Sequence, residues 1–342
     1  MKERQHFLDV LRVAATCAVV LLHTVTGVKD TTDMSQYPLE NKVFLAVIDL
    51  VCWSVPLFIM ISGYLFLDPE REISFSRMVS KYCRRILLAL FLFGVPYAWL
   101  ELLMTERAFR PGMIGEGIVM VLKGQSWSHM WYLYLIFFLY LLTPALRWLL
   151  RRLPLWVVQG IWAVLLVCCS ILPFLKRLSV LPETFPMLPN NIIYFFYYIS
   201  GYLFVIRSRR EKPFWPCLPL LAAALAVGMA GSRIWGGYTM QMAYDYPFTV
   251  LLALALFGTG LSYWQRQTKK NTEFWGIASS LSFGVYLIHP VFLNISYKLL
   301  GITPLSFSIW LSLPLFFLCT LLLAAAVVWA LRKIPVLCKY VL

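Results

Sequence analysis

The chain is poor in charge, and the charge that it carries is uneven. Only 13% of its 342 residues are charged, whereas 61% are hydrophobic and the mean hydropathy is +0.75. Because soluble domains carry about 25% charged residues, this composition excludes an ordinary soluble fold. Lysine and arginine together number 30 against 16 acidic residues, which gives a formal net charge of +14.

The sequence also lacks the patterns of several function classes. It contains no C-x-x-C pair and no His/Cys cluster with zinc spacing, so we expect no metal site. Most of its eight cysteines fall in apolar stretches, which argues against a disulfide framework. A basic face for nucleic acid would need a soluble domain, and no polar stretch is long enough to form one. We therefore expect no nucleic-acid partner.

Long apolar runs fill most of the chain, and each is long enough to cross the ~30 Å hydrocarbon core of a bilayer. They predict an all-α, polytopic membrane protein, which we take as a single transmembrane domain over residues 1–342. The ten predicted spans are 7–27, 43–67, 83–103, 129–150, 155–173, 190–206, 214–231, 247–264, 275–297 and 307–331. A shorter apolar segment, 113–123, is expected to lie at the interface or to re-enter the membrane. Interruptions are predicted at Pro56, Pro144 and Pro290.

The basic residues predict the orientation. With ten spans both chain ends lie on one side, which carries 20 of the 30 lysines and arginines against nine on the other. Because basic loops stay in the cytoplasm, both termini are predicted to be cytoplasmic, in a plasma (inner) membrane. The same side faces anionic lipid, so the bilayer is the expected partner of these charges. The 20 residues are Lys2, Arg4, Arg71, Arg77, Lys81, Arg84, Arg85, Arg147, Arg151, Arg152, Arg207, Arg209, Arg210, Lys212, Arg266, Lys269, Lys270, Arg332, Lys333 and Lys339.

The first predicted span contains ionisable side chains, which are costly inside a membrane and are therefore candidate functional residues. Asp9, Arg12, Thr16 and His23 fall within one stripe of an α-helix. The eleven residues from Arg12 to His23 correspond to roughly 16 Å of helix. Two structural alternatives stay open, since Asp9 and Arg12 could form only a local ion pair and His23 only a helix–helix hydrogen bond.

Five segments, in order along nearly the whole chain, resemble the acyltransferase-3 family of integral membrane acyltransferases. Asp9-Val-Leu-Arg12 followed by His23 is similar to the family's first-helix signature. The segment 56–65, with its Ile-Ser-Gly-Tyr, is similar to the second-helix signature. The remaining matches lie at 129–144, 196–202 and 282–290.

The resemblance implies transfer of an acetyl or other short acyl group from cytoplasmic acyl-CoA to a hydroxyl or amine of a cell-envelope glycan or lipid-linked sugar. Acyl-CoA is then the donor substrate. Its phosphates are expected to bind Arg12, Arg84 and Arg85, because arginine grips phosphate with two N–H donors. His23 is the predicted general base on the acceptor hydroxyl. Asp49 is predicted to orient His23, as the acid of a catalytic triad orients its histidine.

Three further residues are candidates with weaker assignments. His129 opens a predicted helix at the outer surface, where it could cap the helix or contact the acceptor. Trp131 is expected in the aromatic belt at the membrane interface. His289 precedes Pro290, and we expect its ring to fill the backbone gap that proline leaves.

A second function class, transport, also suits several spans with intramembrane charges. However, the sequence shows no internal inverted repeat of the kind common in carriers. We therefore rank transport below acyl transfer. A purely structural membrane scaffold ranks third, because it would not require the polar stripe of the first span.

Overall fold

All regular structure in the described part of the chain is helical, which confirms the predicted all-α class. The computed structural model describes residues 5–106, 110–209, 218–234, 243–265 and 272–342. Cysteines in these ranges are free thiols. The α-helices are α1 (His6–Thr31), α2 (Pro38–Val51), α3 (Ser54–Phe66), α4 (Phe75–Arg77), α5 (Arg84–Glu106), α6 (Met113–Leu122), α7 (Trp131–Arg152), α8 (Leu155–Leu166), α9 (Leu172–Arg177), α10 (Ile193–Ser208), α11 (Leu218–Ile234), α12 (Pro247–Gln265), α13 (Thr272–Asn294), α14 (Ile309–Leu331) and α15 (Pro335–Tyr340).

Seven helical stretches in the described ranges are long and apolar enough to cross a membrane, so the chain is a multi-pass membrane protein. Each coincides with a predicted span. The seven are His6–Thr31, Pro38–Phe66, Phe75–Glu106, Ser128–Arg152, Leu155–Arg177, Glu273–Leu299 and Ile309–Leu331. The other three predicted spans coincide with α10, α11 and α12, which have 16, 17 and 19 residues. Residues 214–217 of the predicted span 214–231 lie outside the described residues.

The short helix α6 has ten residues and begins at the first residue of the predicted segment 113–123. At 1.5 Å per residue it is about 15 Å long, half the thickness of the hydrocarbon core. It packs on α5, where Gly117 lies so close to Trp99 that a Cβ would overlap the indole ring. Tyr134 of α7 donates its hydroxyl to the carbonyl of Val121 at the other end of α6. The segment is thus a short helix held between two long ones.

Proline interrupts one of the three helices in which an interruption was predicted. The second span is divided into α2 and α3 by a turn at 52–53. Pro56 has no N–H to offer the carbonyl of Cys52, four residues earlier, which favours a turn at this point. Pro144 and Pro290, in contrast, lie inside the continuous helices α7 and α13, so the interruptions predicted there are wrong.

The described chain forms two compact units. The first contains Met1–Asp68 and Pro154–Val328, and the second contains Pro69–Leu153 and Trp329–Leu342. The candidate residues of the first unit are Asp9, Arg12, His23, Asp49 and His289. Those of the second unit are Arg84, Arg85, His129 and Trp131. Each unit is described by itself below.

Two glycines fix a close helix crossing in the first unit. The hexapeptide Ile-Ser-Gly-Tyr-Leu-Phe occurs twice, at 61–66 in α3 and at 199–204 in α10. A Cβ at Gly63 would overlap the backbone carbonyl of Tyr198, and one at Gly201 would overlap the carbonyl of Met60. Only glycine allows two helix backbones to approach this closely. The repeated motif therefore locks α3 against α10 at one point.

Helix α1 lies in the interior of the first unit and packs against α2, α3 and α13. Val25 and Val28 are buried against Phe44 of α2. On another side, the hydroxyl of Tyr297, in the π-helical turn that follows α13, donates to the carbonyl of Thr24 at 2.9 Å. These contacts fix the rotation of α1, so the direction of its polar stripe is set by the neighbouring helices α2, α3, α12 and α13.

The basic residues Arg147, Arg151 and Arg152, which are predicted to be cytoplasmic, lie in the last part of α7. Arg147 is only 6% exposed and donates to the carbonyl of Arg71. Arg151 donates to the carbonyl of Pro69 at 2.9 Å. The two arginines therefore bind the backbone of the 69–71 connection within the second unit. Of the predicted cytoplasmic cations, Lys2, Arg4, Arg210, Lys212, Arg266, Lys269 and Lys270 lie outside the described residues.

Candidate active site

The polar stripe of α1 begins with a partly buried ion pair. Asp9 is 2% exposed, and one of its carboxylate oxygens accepts from Arg12 at 3.1 Å. Nδ1 of His6 lies 3.8 Å from the other carboxylate oxygen. The side chain of Arg12 is 29% exposed. The local ion pair that was left open as an alternative for Asp9 and Arg12 is thus present, and the side chain of Arg12 is partly exposed beside it.

Thr16, the next residue of the stripe, is used by the helix itself. Its hydroxyl donates to the carbonyl of Arg12 at 2.8 Å, a bond that threonine commonly makes inside membrane helices. His23 lies two turns further along α1 and is partly exposed. The stripe therefore has a cation at one end and an imidazole at the other.

A second histidine lies beside His23. The ring of His289, on α13, has its centroid 5.2 Å from that of His23, and the two rings are tilted by 47°. His289 is fully buried. The two residues are 266 positions apart, so their sequence spacing does not predict this contact. The packing of α1 on α13 brings them together.

The hydrogen bond of His289 differs from the one predicted beside Pro290. Proline removes the N–H that would reach the carbonyl of Tyr286, four residues earlier. The ring of His289, however, places its Nδ1 3.0 Å from the carbonyl of Val285. The ring thus bonds the carbonyl of Val285. It does not bond the carbonyl of Tyr286, which lacks its helical donor because of Pro290.

Asp49 lies in α2 of the same unit and is 1% exposed. Cys52, one turn further along, is within electrostatic range of both Asp49 and Asp245. The orientation of His23 by Asp49 stays a prediction. What the structure adds is a second buried carboxylate, that of Asp245, near Cys52.

Asp245 and its surroundings are polar residues that the sequence analysis missed. Its carboxylate accepts from Arg177 at 2.6 Å. Next to it, the carbonyl of Tyr244 accepts from the hydroxyl of Tyr197 at 2.6 Å, and burial raises the pKa of Tyr244 well above its usual value. A carboxylate between two tyrosines in apolar sequence was a visible signal. Its partner Arg177, 68 positions earlier, gave no such signal in the sequence.

In the second unit, Arg84 and Arg85 contact the carboxyl-terminal segment. Arg85 donates to the carbonyl oxygens of Val341 and Leu342, at 2.9 and 2.7 Å. The guanidinium of Arg84 lies 5.3 Å from the ring centre of Tyr340. Donor binding by this pair stays a prediction, and any phosphate would share these cations with the residues that follow α14.

His129 belongs to an aromatic cluster in the second unit. It is 3% exposed, and its ring lies 5.7 Å from that of Tyr97, which stacks on Trp127 at 4.2 Å. Met130 occupies the cap position of α7, and its side chain makes no capping hydrogen bond; the capping or acceptor role of His129 stays a prediction. Trp131 is partly exposed at the first residue of α7.

The arrangement in the first unit can bind an anion and move a proton. Arginine holds phosphate oxygens with two parallel N–H donors, and a neutral imidazole accepts a proton near neutral pH. In the described ranges no group of three or more His, Cys, Asp or Glu side chains is placed to hold a metal ion.

Comparison with known proteins identifies the family. The acyltransferase-3 family model, whose description is an acyltransferase domain, matches residues 5–333, nearly the whole chain. Neither the comparison with curated proteins nor that with solved structures gives a match. The matched range covers both units and includes the Asp9–Arg12 pair, His23 and His289. The chain therefore belongs to the acyltransferase-3 family and is a membrane enzyme that transfers acyl groups other than aminoacyl groups.

Proposed function

We propose that the enzyme transfers an acetyl or other short acyl group from cytoplasmic acyl-CoA to a hydroxyl, or an amine, of a cell-envelope glycan or lipid-linked sugar. The observation that carries this proposal is the arrangement on α1, where a partly exposed arginine and a partly exposed histidine share one helix. They are separated by eleven residues, or roughly 16 Å. Acyl-CoA carries its phosphates at one end and its thioester at the other. A cation for the phosphates and a base near the thioester must therefore lie some distance apart.

Arg12 is the proposed phosphate ligand. Its contact with Asp9 fixes the guanidinium plane, and the planar fork can hold a carboxylate and a phosphate on different edges. The pantetheine arm of acyl-CoA would then run along α1 towards His23. This places the polyanionic part of the donor at the amino-terminal end of α1.

His23 is the proposed general base. As the acceptor oxygen attacks the thioester carbonyl carbon, the imidazole takes the hydroxyl proton. The carbon–sulfur bond of the resulting tetrahedral intermediate then breaks, and the thiolate leaves. The imidazolium returns the proton to sulfur, so that the products are the acylated acceptor and free CoA, and His23 is neutral again.

The proposed topology has ten spans with both termini in the cytoplasm of a plasma (inner) membrane. This orientation follows from the bias of basic residues, 20 against nine. A cysteine introduced at Leu153, between α7 and α8, should react with a membrane-impermeant maleimide only after the cells are opened. Labelling of intact cells at this position would contradict both the orientation and the cytoplasmic donor.

The transfer itself is tested with purified enzyme in vesicles. We expect acetyl-CoA to release free CoA thiol in the presence of an acceptor sugar preparation from the cell envelope, at a rate that depends on both. Substrate counterflow of a sugar or an amino acid in the same vesicles, without CoA release, would favour the transporter alternative instead.

A further inference from the structure

The segment 244–246, which directly precedes α12, is anchored by polar contacts to α9 and α10. The carbonyl of Tyr244 accepts from the hydroxyl of Tyr197, on α10, at 2.6 Å. The carboxylate of Asp245 accepts from Arg177, the last residue of α9, at 2.6 Å, and Asp245 is only 5% exposed. The ends of two other helices therefore hold this part of the chain in one place.

The side chain of Tyr244 takes no part in these two anchoring contacts. Tyr246, the last residue of the segment, is fully buried and packs edge-on against Phe174, with 5.1 Å between the ring centres. Tyr244, in contrast, is partly exposed. A side chain whose neighbours are fixed, and which is itself partly exposed, is suited to contact a ligand in a defined position.

Tyr244 belongs to a row of aromatic side chains that continues to the proposed base. Its ring centre lies 6.3 Å from that of Tyr194, and Tyr286 is within electrostatic range of it. The ring of Tyr286 lies 6.4 Å from that of His289, which in turn lies 5.2 Å from that of His23. Tyr286 and His289 are three residues apart on α13 and therefore share one face of that helix. The row thus leads from Tyr244 to His23 through successive neighbours.

From this arrangement we infer that Tyr244, together with Tyr194 and Tyr286, binds the sugar of the acceptor. The inference rests on the proposed function, in which His23 takes the proton of the acceptor hydroxyl. A sugar ring carries hydroxyl groups around its rim and less polar C–H groups on its faces. Tyrosine matches both, because its phenol oxygen can donate and accept hydrogen bonds and its ring presents an apolar face.

Asp245 and Arg177 are positioning residues in this site, because they hold the residue next to Tyr244. Their charges neutralise each other, so the pair adds no net charge beside the sugar. In the proposed topology the end of α9, the start of α10 and the segment before α12 all belong to the outer side of the membrane. A cell-envelope glycan is reached from that side.

The first test separates acceptor binding from the reaction. Tyr244→Phe removes only the hydroxyl, so KM for the acceptor sugar preparation should rise about two- to tenfold, the range of one hydrogen bond's net contribution. Tyr244→Ala removes the ring as well and should raise KM further. Asp245→Asn loses the ion pair but keeps an oxygen for Arg177, so its rise in KM should be smaller than that of Tyr244→Ala. Kd for acyl-CoA should stay at the wild-type value in all three, because the proposed phosphate ligand is Arg12.

Tyr263→Phe is the matched control. Tyr263 lies near the other end of α12 and is 61% exposed, so the loss of its hydroxyl should leave KM for the acceptor and Kd for acyl-CoA unchanged. Wild-type KM in both Tyr244 variants overturns the inference. A loss confined to kcat in these variants also overturns it, since a lost binding contact raises KM. An equal rise of KM in Tyr263→Phe does the same.

A second measurement does not depend on acyl transfer. Ala243→Cys places a thiol beside Tyr244 in the full-length protein, and mass spectrometry can follow its reaction with a maleimide. The acceptor sugar preparation, added without acyl-CoA at a half-saturating concentration, should slow this reaction about twofold. Adding Tyr244→Ala to the same protein should abolish the protection. Leu39→Cys, at a residue of α2 that is 56% exposed, is the control and should react at the same rate with and without the sugar.

The two measurements fail in different ways. Unprotected reaction at position 243 overturns the sugar site, and so does equal protection at position 39. If the wild type transfers no acyl group yet position 243 is protected and Tyr244→Ala removes the protection, the proposed function fails while the sugar site stands. If acyl transfer proceeds while KM in the Tyr244 variants and labelling at position 243 do not respond, the site fails and the proposed function stands.

Discussion

Two arginine sites, one on α1 and one on α5, were both predicted from sequence to bind the phosphates of acyl-CoA. They differ in their partners. Arg12 pairs with Asp9, three residues before it on the same helix. Arg85 binds the carbonyl oxygens of Val341 and Leu342, more than 250 positions later. Basic residues near the ends of membrane spans can thus have different roles. Its partner decides whether it is oriented for a ligand or used to hold the chain.

The partner also decides what each arginine can still bind. Asp9 is acidic and neutralises part of the charge of Arg12, but it occupies one edge of the guanidinium. Arg85 donates from two of its nitrogens to the backbone oxygens of Val341 and Leu342. Because Arg12 shares α1 with the proposed base His23, we expect Arg12 to matter more for donor binding than Arg85, and His23 to matter most for the reaction.

The largest expected effect belongs to His23→Ala. It should lower the rate of acyl transfer by at least the ~10²–10⁴-fold typical of a positioned general base. Binding of acyl-CoA should persist, because the phosphates are held about three turns away. The test is to measure donor binding and CoA release side by side on the same preparation.

The matched variant for His23→Ala is Thr16→Val on the same stripe. The hydroxyl of Thr16 bonds only the helix backbone in this structure, so its removal should leave the transfer rate within about twofold. A folded His23→Ala enzyme that transfers acyl groups at the wild-type rate would exclude the proposed mechanism.

The next effect is on donor affinity in Arg12→Lys. Lysine keeps the charge but loses the planar fork, so Kd for acyl-CoA should rise about tenfold, equivalent to ~1.4 kcal/mol. Equilibrium binding of a non-hydrolysable acyl-CoA thioether measures it. An unchanged Kd would reassign Arg12 to a structural pair with Asp9.

The smallest effect is expected for Arg85→Lys. Kd for the same thioether should rise only roughly two- to threefold, the lower end of one hydrogen bond's net contribution. The carboxyl-terminal segment should become easier to remove by carboxypeptidase, because lysine has one nitrogen in place of the two with which Arg85 donates to Val341 and Leu342. A rise in Kd as large as that of Arg12→Lys would break the comparison and make both arginines donor ligands.

Local sequence was sufficient where the interacting residues are close along the chain. Apolar runs predicted each of the seven helical stretches that the structure shows to be long and apolar enough to span. The Asp9–Arg12 contact followed from helical spacing alone. Predictions failed where a helix continues through a proline. Pro144 and Pro290 do not interrupt their helices.

The sequence by itself determined the all-helical membrane class, the family and the order of the polar groups on α1, because hydropathy, motif order and helical periodicity are properties of neighbouring residues. Only the tertiary structure decided the partners. It placed His289 beside His23, Asp245 beside Arg177, and the carbonyl oxygens of the last two residues at Arg85. These pairs depend on which helices pack together and how each is rotated. That is set by contacts such as the crossing at Gly63 and Gly201, which no spacing within one helix encodes.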